Sequence, residues 1–315
     1  MNRSDEEQLR SSLETETLTI YGQRGGGCIN QGCGYMTDSG PIFVKLNRDA
    51  KAHSMFSGEF ASLAALYAAN CVRVPKPIKV VPVVRGALFA AEYIDGMSRL
   101  NKYSALLGKQ LARLHLHNSQ LLKKESERKK WVTNRHDEFT IEPVTKFGFH
   151  ETTCCGFIPM DNDWSDDWVE FFTQKRLQAQ YDMVMKSSSD RKLAELWPRM
   201  LEKIPSCFEN CGEITPCLLH GDLWAGNVAE TPTGPVVIDP ASFYGHSEFE
   251  FGIASIFGGF NRQFYDAYYE LIPKRPGFEK RLRLYALYNY LNHWNHFGIA
   301  YRESTIREVE SIIDS

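Results

Sequence analysis

The 315-residue sequence contains no uninterrupted apolar run of 18 residues, so no segment reads as a membrane-spanning helix. Its first residues, Met1 to Gln8, lack the apolar core of a secretory signal peptide. The net charge is only −3, so neither sign is in the excess that favours nucleic acid or an anionic membrane as a partner. We therefore expect a soluble cytoplasmic protein that binds neither nucleic acid nor membranes.

Cysteine pairs with the spacing of a zinc site are also missing. Eight cysteines are present, including the adjacent Cys154 and Cys155, but none forms a C-x₂-C pair. In a reducing cytosol we expect them to remain thiols. Apolar residues make up 43% of the chain and charged residues 24%, which is enough for the cores of a two-lobed protein of this length.

One stretch carries most of the chemical information. Residues His220 to Asn227 read H-x-D-x-x-x-x-N, and an apolar run then leads to Asp239. This is the spacing of a kinase catalytic loop followed by its metal-binding carboxylate. We assign Asp222 as the base that accepts the proton of the acceptor hydroxyl, and Asn227 and Asp239 as ligands of Mg²⁺. Any one of these residues alone could simply cap a turn, but the joint pattern favours phosphoryl transfer.

The parts that a kinase needs upstream follow one another in order. The glycine-rich segment 21–34 includes Gly26 and Gly27, whose backbone N–H groups we expect to approach the phosphates of ATP. Lys45 ends an apolar strand, from which it could reach the same phosphates. Glu59 follows in a segment with helical spacing and could pair with Lys45. The alternatives are a flexible hairpin, a solvated lysine and a surface glutamate.

A second apolar strand, 87–94, is predicted to present backbone groups to adenine at Glu92, Tyr93 and Ile94. A buried strand and turn without a nucleotide role fits the same residues. Asp95 and Gly96 follow and indicate the turn.

These placements predict two lobes. Residues 1–92 should form a small, mainly β lobe, and residues 93–315 a larger, mainly helical lobe. The fold class is therefore α+β, with a protein-kinase-like arrangement.

Several longer motifs make the resemblance specific: K-F-G-F-H-E-T-T-C-C-G-F-I-P at 146–159, H-G-D-L-W-x-G-N at 220–227 and D-P-A-S-F-Y-G-H-S-E at 239–248. With them the chain resembles the fructosamine-3-kinase and ketosamine-3-kinase family, which is similar to aminoglycoside and choline kinases. The resemblance implies ATP- and Mg²⁺-dependent phosphorylation of the 3-hydroxyl of ketosamines, carried on small amines or on glycated proteins, followed by deglycation. Fructosamine and ribulosamine or psicosamine acceptors both remain open.

The acceptor pocket should lie beside the catalytic loop. Trp224, two residues after Asp222, could stack its ring on a sugar. His293, in a later aromatic helical segment, could line the pocket from the opposite side. A purely structural role fits His293 equally well.

Cys28 lies within the glycine-rich segment expected to cover the phosphates. Nearby Arg24 and backbone N–H groups could favour its thiolate, although an inert small residue would also fit. The resemblance implies a redox switch, in which Cys28 bonds to Cys28 of another copy or to Cys33. The protein is accordingly expected to be a monomer or a homodimer, with a disulfide as one possible link.

Three other functions compete with a ketosamine kinase. A kinase of another small molecule, of the aminoglycoside or choline type, would share the loop but not the motifs around Trp224 and Tyr244. A protein kinase should carry an A-P-E segment after Asp239, and none is present. A non-catalytic, redox-sensing nucleotide-binding protein should have lost catalytic side chains, whereas Lys45 and Asp222 are both retained.

Overall fold

The computed structural model describes residues 1–26, 31–130 and 142–315. The first part of the chain supplies two helices and five strands: α1 (Arg3–Leu13), β1 (Thr19–Gly26), β2 (Gln31–Thr37), β3 (Gly40–Asn47), α2 (Ala52–Ala69), β4 (Pro77–Pro82) and β5 (Ala87–Glu92). The strands form one antiparallel sheet in the order β1-β2-β3-β5-β4.

Alternation along β3 gives the two faces of this sheet different environments. Ile42 and Val44 are buried on one face, where they form an apolar cluster with Leu9 of α1. Lys45 points to the other face, next to its cross-strand neighbour Phe89. Phe89 packs against Phe56 of α2, so Lys45 is directed toward that helix.

The remainder of the chain is mainly helical, with short two-stranded pairs between the helices. Its helices are α3 (Ser104–Lys130), α4 (Trp168–Phe172), a π-helical turn (Thr173–Gln178), α5 (Ala179–Ser188), α6 (Arg191–Phe208), α7 (Phe251–Phe257), α8 (Arg262–Tyr269), α9 (Phe278–Phe297) and α10 (Arg302–Ile313). Its strands are β6 (Cys154–Cys155), β7 (Ile158–Pro159), β8 (Cys217–Leu218), β9 (Val228–Thr231), β10 (Gly234–Val237) and β11 (Tyr244–Gly245), paired as β6-β7, β8-β11 and β9-β10.

One large apolar core joins the sheet to the helical part. It contains Phe56 and Leu63 of α2 together with Trp168 and Phe243 from the later part of the chain. The backbone also crosses between the two parts, because Val237 donates its N–H to the carbonyl of Arg73 at 3.0 Å. The sheet and the helical part are therefore held together by packed side chains and a backbone hydrogen bond.

The order of elements agrees with the predicted α+β class, with a sheet first and helices after it. The sheet ends at Glu92 and the next helix begins at Ser104. The lobe boundary placed between residues 92 and 93 stays a prediction. Within the described ranges, no helix combines the length and apolar character needed to cross a membrane.

Candidate active site

The loop after β8 is shaped by backbone constraints around His220. Its Nε2–H donates to the carbonyl of Ile238 at 2.9 Å, and its Nδ1 accepts the N–H of Asp222 at 3.3 Å. Gly221 has φ of +85°, and a Cβ there would lie 2.0 Å from the carbonyl oxygen of Ala241. Only glycine fits this close approach. His220 thus supports the loop through both ring nitrogens, and the role of Asp222 as the base stays a prediction.

Asp222 is held by Asn227, which lies at the end of a short 3₁₀ turn (Ala225–Asn227). The Asn227 side-chain N–H₂ donates to the backbone carbonyl of Asp222 at 2.8 Å and to its carboxylate at 2.9 Å. Burial raises the pKa of Asp222 to about 7, and the charges of Asp239 and Glu250 add to this while the Asn227 hydrogen bond opposes it. A carboxyl group with a pKa near 7 suits proton transfer at neutral pH.

Lys45 joins the sheet, α2 and the loop after β10. Its Nζ lies 2.5 Å from Glu59 Oε1 and 2.6 Å from Asp239 Oδ1. The Lys45 and Glu59 side chains are only 10% and 13% exposed, whereas that of Asp239 is 47% exposed. Burial alone would lower the pKa of Lys45, but the two carboxylates raise it above its ordinary value. The lysine therefore stays charged in its buried position.

Asp239 occupies a backbone conformation that is rare for a residue with a side chain, with φ of +56°. Backbone strain of this kind is often found at functional loops. The preceding residue, Ile238, donates its N–H to the Asn227 carbonyl at 3.0 Å and so ties Asp239 to the catalytic loop. Among the described residues no three His, Cys, Asp or Glu side chains gather into a metal cage.

The predicted adenine-binding segment lies at the end of β5, an interior strand of the sheet. The Glu92 carboxylate pairs with Arg73 at 2.5 Å and accepts the N–H of Lys76 at 3.1 Å, so this side chain is structural. Tyr93 packs beneath the first hairpin, where a Cβ on Gly34 would lie 2.6 Å from its ring. Ile94 follows and is buried.

The glycine-rich hairpin is described only in part. Gly26 is the last residue of β1 and faces Gln31 across the hairpin. Gly27 and Cys28 lie outside the described residues. The hairpin is linked to the segment after β5 by a hydrogen bond from the Tyr21 hydroxyl to Asp95 at 3.1 Å.

Sequence reasoning missed Glu250, which is 1% exposed. Its carboxylate accepts the backbone N–H of His220 at 2.7 Å and that of Gly221 at 2.9 Å, and it also contacts His115 at 3.3 Å. These bonds lower its pKa despite burial, so it remains charged under the loop. The available signal was an acidic residue within the otherwise apolar stretch F-E-F-G-I-A at 249–254.

Trp224 and His293 are brought near each other through a third ring that the sequence did not single out. Phe257, the last residue of α7, lies 6.0 Å from Trp224 and 4.6 Å from His293, measured between ring centroids. The three rings form one wall beside the catalytic loop. Burial lowers the pKa of His293, whose Nδ1–H donates to the Asn289 carbonyl at 2.8 Å. Its Nε2 is therefore left as a hydrogen-bond acceptor.

A paired lysine and glutamate below a glycine-rich hairpin, with Asp, Asn and Asp on two adjoining loops, define a kinase-like protein. Solved structures share this fold. A crystal structure described as a fructosamine-3-kinase from Haemophilus somnus matches with a TM-score of 0.79 and 21% identity, over 98% of this chain and 97% of that one. The aminoglycoside phosphotransferase APH(4)-Ia matches with a TM-score of 0.61 and 13% identity, over 99% and 98%. The two-lobed, kinase-like α+β fold is thereby confirmed.

The chain belongs to the fructosamine kinase family, whose model matches residues 1–315. It is 49% identical to mouse ketosamine-3-kinase over 96% of this chain and 98% of that protein. It is 39% identical to the chloroplastic protein-ribulosamine 3-kinase of Arabidopsis thaliana, over 100% of this chain and 89% of that protein. The family resemblance seen in the motifs is confirmed.

Proposed function

We propose that this protein is an ATP-dependent ketosamine-3-kinase that phosphorylates the 3-hydroxyl of a sugar ketosamine. The observation that carries the proposal is a set of contacts among five residues of the predicted site. Lys45 pairs with Glu59 and Asp239, and Asn227 holds Asp222. They come from a strand, a helix and two loops, and the contacts between them are 2.5 to 2.9 Å long. The 49% identity to a ketosamine-3-kinase supports the choice of acceptor.

The chain's own residues can carry the proton transfer. The acceptor O3–H gives its proton to the Asp222 carboxylate as O3 bonds to the γ-phosphorus of ATP. The bond from that phosphorus to the β-phosphate oxygen breaks, and ADP leaves. Asn227 keeps the carboxylate oriented through its 2.9 Å hydrogen bond. Lys45 supplies a buried positive charge for the phosphates.

The residues present fit a magnesium ion held jointly with the nucleotide. Asn227 uses its side-chain N–H₂ toward Asp222, so its amide oxygen remains as a ligand. Asp239 uses Oδ1 toward Lys45, while its other oxygen and nearly half of its side chain remain accessible. Mg²⁺ often takes only one or two protein oxygens together with phosphate oxygens and water. When bound, it would neutralise the charge on the phosphates.

Binding of the adenine is proposed at Glu92, Tyr93 and Ile94. The Glu92 N–H donates to the Lys76 carbonyl at 2.8 Å and that of Tyr93 to the Pro41 carbonyl at 3.4 Å. Backbone recognition would therefore fall to the Ile94 N–H and to the carbonyl groups of this segment. The glycines at 26 and 27 remain the proposed contact to the phosphates.

Phosphorylation alone would lead to removal of the sugar. Phosphate is a better leaving group than hydroxide, so loss of a C1 proton to give the enaminol expels inorganic phosphate from C3. Addition of water then releases the free amine and a 3-deoxy dicarbonyl sugar. We therefore propose glycated amines or proteins as the source of the acceptor and deglycation as the outcome. We also propose that the protein acts in the cytoplasm, where its cysteines would stay reduced.

The experiment that tests this proposal measures ADP release from Mg²⁺-ATP with ribulosamine, psicosamine and fructosamine as acceptors. An aminoglycoside and choline serve as alternative acceptors. We expect ADP release that depends on at least one ketosamine and is absent with the other two compounds. ADP release with an aminoglycoside or choline alone would instead identify a different small-molecule kinase. ATP binding without any acceptor-dependent release would identify a non-catalytic nucleotide-binding protein.

A further inference from the structure

The ring wall beside the catalytic loop continues beyond the place where a sugar would lie. We call Trp224, Phe257, His293 and Phe297 the aromatic band. Their successive ring centroids are 6.0, 4.6 and 5.6 Å apart. Phe257 is 37% exposed and Phe297 59% exposed, so its outer rings face solvent. Exposed aromatic rings next to a site are typical of a binding surface.

The band begins at the reacting end and leads away from it. Trp224 is two residues from Asp222, whereas Phe297 is three ring contacts further along. A single sugar spans about the distance between two neighbouring rings of the aromatic band. It therefore cannot cover all four rings. A ketosamine carries its amine and the attached carrier on C1, two carbons from the reacting O3. The carrier is the part of the acceptor that reaches the outer rings.

Building on the proposed function, we infer that Phe257 and Phe297 bind the alkyl chain of the amine carrier. The enzyme would then distinguish ketosamines by what carries them, and would favour a chain of lysine length over a short amine. We name an apolar chain because the surface consists of aromatic side chains that continue from the proposed acceptor pocket.

The polar groups of the band suit the amine that joins sugar and carrier. This secondary amine is protonated at neutral pH and is attracted to aromatic faces. The imidazole of His293 is neutral with Nε2 as an acceptor. The neighbouring His296 is neutral as well, because its Nδ1–H donates to the Asn292 carbonyl at 2.7 Å and its Nε2 accepts the N–H of Phe157 at 3.2 Å. Neither ring repels the ammonium group.

The test uses a series of ribulosamines that share one sugar and differ in an alkyl chain of one to six carbons on nitrogen. Complete burial of a methylene changes an equilibrium by about fourfold, so a one-sided surface should give about twofold per methylene. We expect kcat/KM of the wild-type enzyme to rise about twofold per carbon up to butyl, through KM rather than kcat. The adduct of Nα-acetyl-lysine should behave like the butyl compound.

Phe297→Ala should flatten this dependence, and Phe297→Leu should restore part of it. Val84→Ala is the matched control, because Val84 is a 91% exposed apolar residue on the sheet side of the molecule. It should keep the full chain-length dependence. Sedimentation of each variant at assay concentration checks whether the band instead contacts a second copy of the chain.

Each outcome decides the inference. An equal kcat/KM for all chain lengths in the wild-type enzyme would overturn it while leaving the kinase activity intact. The same chain-length dependence in Phe297→Ala, or a change of oligomeric state caused by that variant alone, would also overturn it. No turnover of any ketosamine would reject the proposed function itself, and this inference with it.

Discussion

Replacement of Asp222 by asparagine should lower activity and raise stability at the same time. Asparagine keeps the size of the side chain and an oxygen that can accept the Asn227 hydrogen bond. It cannot accept the proton of the acceptor hydroxyl. A general base contributes about 10²- to 10⁴-fold, so kcat should fall by that amount, equivalent to roughly 3 to 5 kcal/mol. Binding of ATP should change little.

The stability of the fold should move in the opposite direction, for a reason that the burial of Asp222 provides. Its pKa rises from an ordinary 3.8 to about 7 in the folded protein. The folded state therefore binds this proton more tightly, so the group lowers stability as the pH rises from about 4 through 7. The full difference corresponds to roughly 4 kcal/mol. Asp222→Asn removes this penalty.

The assay is thermal unfolding of both proteins between pH 4.5 and 8.5, without nucleotide and with a chelator. We expect the unfolding temperatures to be similar at the acidic end and the variant to be several degrees more stable at pH 8. Asp163→Asn, whose side chain is 92% exposed, is the matched control and should change neither activity nor this profile. Turnover of Asp222→Asn within tenfold of wild type, or no gain in stability at pH 8, would refute the reasoning.

Three further predictions follow from other contacts. Lys45→Met should reduce kcat/KM and destabilise the fold by about 3 kcal/mol in unfolding assays, because Glu59 loses its partner; adding Glu59→Leu should recover stability but not activity. Glu250→Gln should lower the unfolding free energy by about 1 to 3 kcal/mol and reduce kcat, because its amide N–H₂ would face the backbone N–H of either His220 or Gly221. An unchanged kcat would contradict the claim that Glu250 supports the catalytic loop. Cys28→Ala should stay active and resist mild oxidant, whereas wild type should lose activity until a thiol is added; equal inactivation of both would place the switch elsewhere. Burial raises the pKa of Cys155 far above its ordinary value, so we do not expect this thiol to replace Cys28 as the oxidant-sensitive group.

The catalytic loop was predictable because its information is local. The spacing from His220 to Asn227, and the apolar run before Asp239, place the functional groups within one short segment of chain. The ion pair between Lys45 and Glu59 was also accessible, since strand and helix follow each other directly. The structure contains this pair at 2.5 Å. The roles assigned to these residues stay predictions until they are tested by substitution.

The supports of the site depend on contacts that a sequence does not display. Glu250 looks like an ordinary acidic residue, and its meaning comes from backbone N–H groups 29 and 30 residues away. Phe257 contacts both Trp224 and His293 only because α7 ends between the catalytic loop and α9. The position of Arg176 also depends on tertiary contacts. It is buried on a π-helical turn, and its guanidinium carbon lies 4.6 Å from the ring centroid of Phe171 and 4.2 Å from that of Phe243. Tertiary packing, rather than any local pattern, decides these positions.

The most direct test of the central claim is the position of the phosphate in the product. A ribulosamine incubated with the enzyme and Mg²⁺-ATP can be examined by two-dimensional phosphorus–proton NMR before the product decomposes. We predict a phosphorus signal coupled to the proton on C3, and gradual appearance of inorganic phosphate together with the free amine. Phosphorus coupled to a proton on another carbon, or ADP release without any phosphorylated sugar, would contradict the account.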